Sequence, residues 1–274
     1  MKNNVLILVA LLMMYILPAP SYGQGGDERS MVLHPADADG RVAIAITMKE
    51  FPGEKFVLEI PEVFTLQEKG GGLSNYDKQI WNFNKRGADM IFQDNKQVYT
   101  IRLKIIKKKQ SIGLAWDINF KNNTADTLHD LASFNCWTMN FAPLFKDLEM
   151  ERTYVQNDKG TKILLSEVLK NQGEGKRTMQ FYPSMTGVQD PGKSRWINQW
   201  NVNSPQTLAG HEIAVVSTDG KWIFKNIVFG EVAYFFNNWE SDHGCVHASP
   251  LLAKQLLPGH SARSRGIFNF VRLN

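Results

Sequence analysis

Residues 230–274 read GEVAYFFNNWESDHGCVHASPLLAKQLLPGHSARSRGIFNFVRLN, and the rest of the chain can be interpreted outward from this stretch. It opens with an apolar run from Val232 to Phe236 and closes with a second strand-like run, GIFNFVRL. Between the two runs lie Trp239, Glu240, Asp242, His243, Cys245 and His247. The stretch therefore predicts strands at both ends and a candidate site between them.

Similar strand-like segments recur along the chain from Arg41 onward. β-branched and aromatic residues, often alternating with polar ones, fill short segments bounded by turn residues, among them KFVLEIPEVF, VYTIRLKII, SIGLAWDINF and FNCWTMNFA. Two brief helices are also predicted, over Thr161–Asn171 and from Ser249 to Leu257, where Pro250 would take the first helical position.

The number and spacing of these segments favour one fold class. Roughly a dozen short strands separated by turn signals are typical of a sandwich or barrel. No fixed-period repeat or proline-rich linker divides the chain. We therefore predict an all-β fold, a large antiparallel β-sandwich with one or two short helices, formed by residues 24–274 as a single domain.

The first residues have the order of a secretory signal peptide. Lys2 precedes an apolar block from Val5 to Leu17, and a Ser21-Tyr22-Gly23 segment follows a proline break. We expect cleavage after Gly23, so that residues 1–23 are removed and the mature chain is secreted or periplasmic in a bacterium. No later segment is apolar enough to span a bilayer, so no membrane partner is expected after cleavage.

Charge and cysteine content narrow the possible partners. The basic residues are dispersed apart from the run Lys104 to Lys109, which fits a solvated strand end, and no nucleic-acid partner is expected. Cys136 and Cys245 could form a disulfide in an oxidising compartment or remain two buried thiols. No C-x-x-C spacing supports a zinc site on cysteines, and no cofactor is indicated.

Strand parity limits what the cluster before the Ser-Pro break can do. In an extended chain His243, Cys245 and His247 share one face, with the two histidines roughly 13 Å apart, too far for one metal ion. We therefore predict no metal site. His247 is the leading candidate for proton transfer, with Glu240 or His211 as partners, and Trp239 and His243 as substrate contacts. The alternative is a histidine that only satisfies a loop carbonyl.

A second constellation lies in residues 193–203, KSRWINQWNVN. Trp196, Asn198 and Trp200 would share one strand face, while Arg195 lies on the other. Indole faces pack on the C–H face of a pyranose and an amide bonds its hydroxyls, so the pattern fits a sugar platform. It equally fits the edge of a sandwich core.

The residues Cys245, His247, Pro250, Pro258-Gly259 and Arg265-Gly266 carry a resemblance. This Cys-x-His-x-x-Pro segment, with its Pro-Gly turn and final strand, resembles a group of uncharacterised secreted bacterial proteins that are similar to galactose-mutarotase-like sandwiches. The resemblance implies that fold and a carbohydrate ligand. The catalytic motif of aldose mutarotases does not map onto this sequence residue by residue, so their activity is not implied.

Two functions follow as expectations. The first is a secreted enzyme that acts on a sugar or oligosaccharide by acid/base chemistry in a cleft of the sandwich. The alternative is a non-catalytic glycan-binding module that uses the tryptophan platform. The sequence contains no phosphate-binding glycine loop, no H-E-x-x-H and no G-x-S-x-G, which removes the best-marked enzyme classes.

Overall fold

The structure is a computed structural model that describes residues 30–36, 43–67, 72–73, 79–171, 179–187, 203–239 and 244–274. The expected signal peptide and the segment with Trp196 and Trp200 lie outside the described residues, as do Glu240 and His243. Within the described ranges, no helix has the length and apolar character needed to cross a membrane.

The described chain forms strands almost throughout. Their bounds are β1 Met31–Pro35, β2 Ala43–Met48, β3 Lys55–Thr65, β4 Gly72–Leu73, β5 Asn82–Asn84, β6 Gly87–Gln93, β7 Gln97–Lys108, β8 Ser111–Asn122, β9 Leu128–Thr138, β10 Thr153–Asn157, β11 Lys162–Leu164, β12 Met179–Pro183, β13 Leu208–Val216, β14 Trp222–Val228, β15 Val232–Asn238, β16 Cys245–Leu256 and β17 Ser261–Arg272.

The strands form two large antiparallel sheets. The eight-stranded sheet has the order β1-β2-β3-β9-β16-β15-β12, with β4 paired to β3. The nine-stranded sheet has the order β11-β10-β13-β14-β17-β8-β7-β6-β5. Every pairing between these strands is antiparallel, which confirms the predicted all-β antiparallel sandwich.

The main core lies between the two sheets, where apolar residues from alternate strand positions meet. Trp137 of β9 stacks on Phe224 of β14 at 4.9 Å between ring centroids and contacts Phe268 of β17 at 4.8 Å. Because successive side chains of a strand point to opposite faces, the residues on either side of Trp137 point away from this core. Cys136 and Thr138 are therefore placed on the outer face of the eight-stranded sheet.

A second apolar cluster covers that outer face. Among the described residues, its buried members belong to strands of the eight-stranded sheet; they are Val63, Ala132, Phe134, Cys136, Phe181, Ala233, Tyr234, Phe236, Cys245 and Leu251. We call this set the outer-face cluster. It surrounds His247, which is itself buried.

The prediction of a helix over Thr161–Asn171 was wrong. Residues 162–164 form β11, which pairs with β10 through Val155 and Ile163, and only Leu165–Glu167 form a single 3-10 turn. A few apolar residues at helical spacing are weak evidence when strand pairing can satisfy the backbone instead. Burial of Leu165 then fixes the end of the segment.

The helix predicted from Ser249 to Leu257 was also wrong, because this segment is the second half of β16. β16 lies between β9 and β15, so both of its edges are paired and Cys245 to Leu251 are all buried. Pro250 is tolerated because the register with β15 shifts between Val232 and Tyr234, next to the position where Pro250 faces Val232. Burial on both faces hides the period-2 pattern of a strand.

Candidate functional site

A row of side chains crosses the outer face of the eight-stranded sheet. Glu59 of β3 pairs with Cys136 of β9, and Phe236 of β15 pairs with His247 of β16 and with Phe181 of β12. The register between β16 and β9 also places His247 opposite Cys136. The row therefore runs Glu59, Cys136, His247, Phe236, Phe181, from a carboxyl group at one end to an aromatic group at the other.

An irregularity in β3 adds a second carboxyl group to this row. The pairing of β3 with β9 shifts between Glu59 and Val63, so Ile60, Pro61 and Glu62 stand against the single residue Asn135. A carboxylate oxygen of Glu59, one of Glu62 and the sulfur of Cys136 lie within 4.8 Å of one another. The bulge thus brings two acids to one side of the sheet, although strand parity alone would separate them.

His247 lies at the centre of the row and has no solvent-exposed surface. Its ring stacks on Phe134 at 4.2 Å and meets the edge of Phe236 at 5.0 Å. Its Nε2 lies 3.0 Å from Cys245 Sγ. Because β16 is extended, Cys245 and His247 share a face, as the sequence predicted.

Burial lowers the pKa of His247 to about 3. The backbone of Asn135 has the opposite, smaller effect on this pKa. Within the described residues, no well-formed hydrogen bond reaches His247 Nδ1. The imidazole is therefore neutral at pH 7. A neutral buried ring can accept or donate one hydrogen bond and can bind a metal ion, but it has no proton to give as an imidazolium.

The two cysteines are free thiols, which resolves the alternatives left open by the sequence. Cys245 pairs with Thr138, so Cys136 is its diagonal neighbour across β9 and β16. Diagonal neighbours on a sheet have Cα atoms about 7–8 Å apart, beyond the usual disulfide range of about 4.4–6.8 Å. A hydrogen bond to Cys245, and then burial, raises the pKa of Cys136.

The acids form the outward end of the site. Glu59 and Glu62 are partly exposed, whereas Cys136, Cys245 and His247 are 6%, 3% and 0% exposed. Burial and repulsion from Glu59 raise the pKa of Glu62 to about 8, and burial also raises the pKa of Glu59. One protonated and one ionisable carboxyl group therefore lie side by side where solvent can reach them.

The structure separates some of the residues that the sequence grouped together. His211 is exposed on β13 of the nine-stranded sheet, whereas His247 is buried on the eight-stranded sheet. Trp239 belongs to the core between the sheets, with its indole nitrogen buried. The other predicted site residues lie outside the described ranges; they are Glu240, His243, Arg195, Trp196, Asn198 and Trp200.

Sequence reasoning missed Glu59 and Glu62. Their signal was present in the segment KFVLEIPEVF, where Pro61 interrupts a strand pattern between the two acids. Proline inside a strand marks an edge or a bulge, and a bulge re-aims a side chain. The partners that the bulge would reach could not be read from the segment itself.

A separate cleft of about 550 Å³ lies on the nine-stranded sheet. Its charged and aromatic lining includes Arg86, Arg102, Lys104, Arg265, Asp89, Asp117 and Phe229. Arg263 bonds Asp117 through Nε at 2.8 Å and, with this hydrogen bond as the largest cause, lowers the pKa of that carboxyl. Phe229 is 64% exposed. The cleft therefore offers several cations and one exposed ring.

The protein is an antiparallel β-sandwich. On the outer face of its eight-stranded sheet, the buried residues Cys136, Cys245 and His247 lie beside the carboxyl pair of Glu59 and Glu62. No protein-family model matches the chain, and no curated protein matches its sequence. Among solved structures, the Slr1438 protein from Synechocystis sp. PCC 6803 matches with a TM-score of 0.42 and 9% identity, over 88% of this chain and 95% of that one. Galactose 1-epimerase from Lactobacillus acidophilus NCFM matches with a TM-score of 0.35 and 8% identity, over 89% and 98%.

Proposed function

We propose that the protein is a secreted or periplasmic carbohydrate-active enzyme in which Glu59 and Glu62 exchange protons with a sugar. The observation that carries the proposal is geometric. Two carboxyl groups from one bulged strand have oxygens within 4.8 Å of each other, at the partly exposed end of an otherwise buried row. Paired carboxyl groups of this kind perform acid and base steps at sugar oxygens.

Environment supports a division of labour between the two acids. Because burial and repulsion raise the pKa of Glu62 to about 8, this residue holds a proton at neutral pH and is suited to donate it, and the accepting role falls to Glu59. Both acids lie beside Cys136 of the outer-face cluster, at the more exposed end of the row.

His247 takes a different place in this proposal from the one expected from the sequence. Its ring lies beneath Phe134 and bonds Cys245 rather than a carboxylate. Direct proton exchange between His247 and a sugar remains a prediction. Its buried position favours a positioning role, in which the ring holds Cys245 and Cys136 beneath the carboxyl pair.

The test compares Glu59→Gln, Glu62→Gln and the wild-type protein on two panels of probes. Polarimetry follows the mutarotation of free aldohexoses, and p-nitrophenyl glycosides report hydrolysis. Loss of a general acid or base lowers turnover by about 100-fold or more. Glu231→Gln, at an exposed carboxylate whose Oε2 is 3.9 Å from Lys254, is the matched control and should retain turnover.

Two outcomes would contradict the proposal. One is turnover of a probe that survives both glutamine substitutions. The other is no turnover of any probe by the folded wild-type protein. In the second case the alternative below becomes the better account.

The second candidate function is non-catalytic binding of an acidic glycan, and the cleft on the nine-stranded sheet favours it. Arg86, Arg102 and Arg265 line one cavity of a size that suits a small oligosaccharide, together with exposed Phe229. Calorimetry with oligogalacturonate and with an uncharged oligosaccharide separates charge recognition from general sugar binding.

Arg102→Gln and Arg265→Gln should each weaken binding of oligogalacturonate at least tenfold, whereas Lys225→Gln, outside the cleft, should not. Equal affinity for charged and uncharged sugars would discard the cleft. If Trp196→Ala with Trp200→Ala then abolished that affinity, the tryptophan platform would be the binding surface.

A further inference from the structure

Three potential metal ligands lie together at the buried centre of the row that crosses the outer face of the eight-stranded sheet. The sulfurs of Cys136 and Cys245 and a ring nitrogen of His247 all lie within 4.8 Å of one another. All three residues are at least nine-tenths buried. No metal chemistry is needed for the function proposed above, so what this group does is a separate question.

The ligand types and spacing fit one metal closely. In a tetrahedral zinc site, bonds of about 2.3 Å to sulfur and about 2.0 Å to nitrogen place neighbouring donor atoms about 3.5–3.8 Å apart. His247 Nε2 is now 3.0 Å from Cys245 Sγ, so the two atoms need to separate by only about 0.5 Å. The third donor, Cys136 Sγ, lies within 4.8 Å of both Cys245 Sγ and a ring nitrogen of His247.

A disulfide is the competing use of the two thiols, and the sheet disfavours it. Cys136 and Cys245 are diagonal neighbours on paired strands, a relation that holds their Cα atoms too far apart for an unstrained bridge. Their sulfurs nevertheless converge. Two thiolates and a neutral imidazole around one divalent ion also give a site of zero net charge, which suits its apolar surroundings.

The surroundings resemble a prepared outer shell. Thr138 Oγ1 lies 3.3 Å from Cys136 Sγ, and rings of Phe134 and Phe236 fix the plane of His247. The sulfur of Cys136 is also within 4.8 Å of carboxylate oxygens of Glu59 and Glu62. A water molecule is the fourth ligand expected beside three protein ligands, and it leaves the net charge of the site at zero.

From this geometry we propose that Cys136, Cys245 and His247 bind one Zn²⁺ ion. Zinc sites are usually recognised by close cysteine spacing, and here the three ligands come from two strands distant in sequence. That explains why the absence of a C-x-x-C motif led to the opposite expectation. The proposal does not depend on the sugar chemistry of Glu59 and Glu62.

The experiment adds Zn²⁺ or Co²⁺ to the reduced, metal-free mature chain. We expect one equivalent of Zn²⁺ to bind and to raise the melting temperature, and Co²⁺ to give a thiolate-to-cobalt charge-transfer band with tetrahedral d–d bands. Cys136→Ser, Cys245→Ser and His247→Asn should each lower affinity at least tenfold. His211→Ala, which removes an exposed histidine of the nine-stranded sheet, is the matched control and should retain stoichiometric binding.

Failure of the wild-type protein to give the charge-transfer band would overturn the proposal, whatever the variants do. This readout uses the unaltered chain, so it decides even if a serine variant does not fold, which near-ultraviolet circular dichroism would reveal. Binding that survives all three ligand substitutions would also overturn it. Loss of sugar turnover in Glu59→Gln with unchanged Co²⁺ spectra would separate the two sites.

Discussion

Replacing Glu62 with glutamine should stabilise the metal-free protein increasingly as the pH rises. In the folded chain the pKa of Glu62 is about 8 because of burial and repulsion from Glu59, against an ordinary value of 4.5. Between these values the native state keeps a proton that the unfolded chain has released. Stability that is present below pH 4.5 is therefore lost as the pH rises through about 8.

The size of the effect follows from the width of this window. One pKa unit corresponds to about 1.4 kcal/mol, so the penalty on the wild-type protein grows to about 3 kcal/mol at pH 7 and about 4 kcal/mol at pH 8. Glutamine has the shape of a protonated glutamate but cannot ionise. At pH 4 the two proteins should therefore differ by less than about 0.5 kcal/mol.

Urea unfolding at pH 4, 6 and 8, with EDTA present, measures the difference between Glu62→Gln and the wild-type protein. The stability of the variant is compared with that of the wild-type protein at each pH because protonation of His247 lowers the stability of both proteins as the pH falls. Subtraction removes this shared effect. Glu231→Gln serves as the exposed control. A stability difference for Glu62→Gln that is the same at all three pH values would refute the burial argument.

The remaining predictions concern one further titration and two packing contacts. His247 has a folded pKa of about 3, so its contribution is complete above pH 6.5 and is lost as the pH falls toward 3; His247→Asn should remove about 1.4 kcal/mol per pH unit of that slope in urea unfolding. Gly266→Ala should destabilise by about 1–3 kcal/mol in thermal unfolding, because an added Cβ would lie 2.2 Å from both Ile227 O and Trp116 Cζ2; an unchanged melting temperature would contradict that crowding. Trp137→Ala should cost about 3–5 kcal/mol in urea unfolding, since its ring fills the core between the sheets, and a loss below 1 kcal/mol would place it elsewhere.

Local patterns in the sequence were sufficient for the fold class and for some side-chain directions. Alternation along FNCWTMNFA predicts that Cys136 and Trp137 face opposite ways, and the structure places Trp137 in the main core and Cys136 in the outer-face cluster. The same rule put Cys245 and His247 on one face. These results hold because the direction of a side chain in a strand depends only on its own backbone.

The helix prediction from Ser249 to Leu257 failed for a reason that the chain could not reveal locally. Ser249 and Pro250 lie in a strand flanked on both edges, where burial on both faces removes the alternation that marks a strand. Propensity over a few residues is worth little against this tertiary pairing. The position of β16 in its sheet therefore decided its structure.

The composition of the candidate site was decided by tertiary structure. The sequence by itself determined a β-rich chain and a face shared by Cys245 and His247, because both depend on neighbours within one strand. It could not determine that β9 would bring Cys136 to them, or that the bulge of β3 would place Glu62 beside Glu59 on the same face. Strand order and register are set by packing of the whole sheet, and only that packing joins residues distant in the chain into one site.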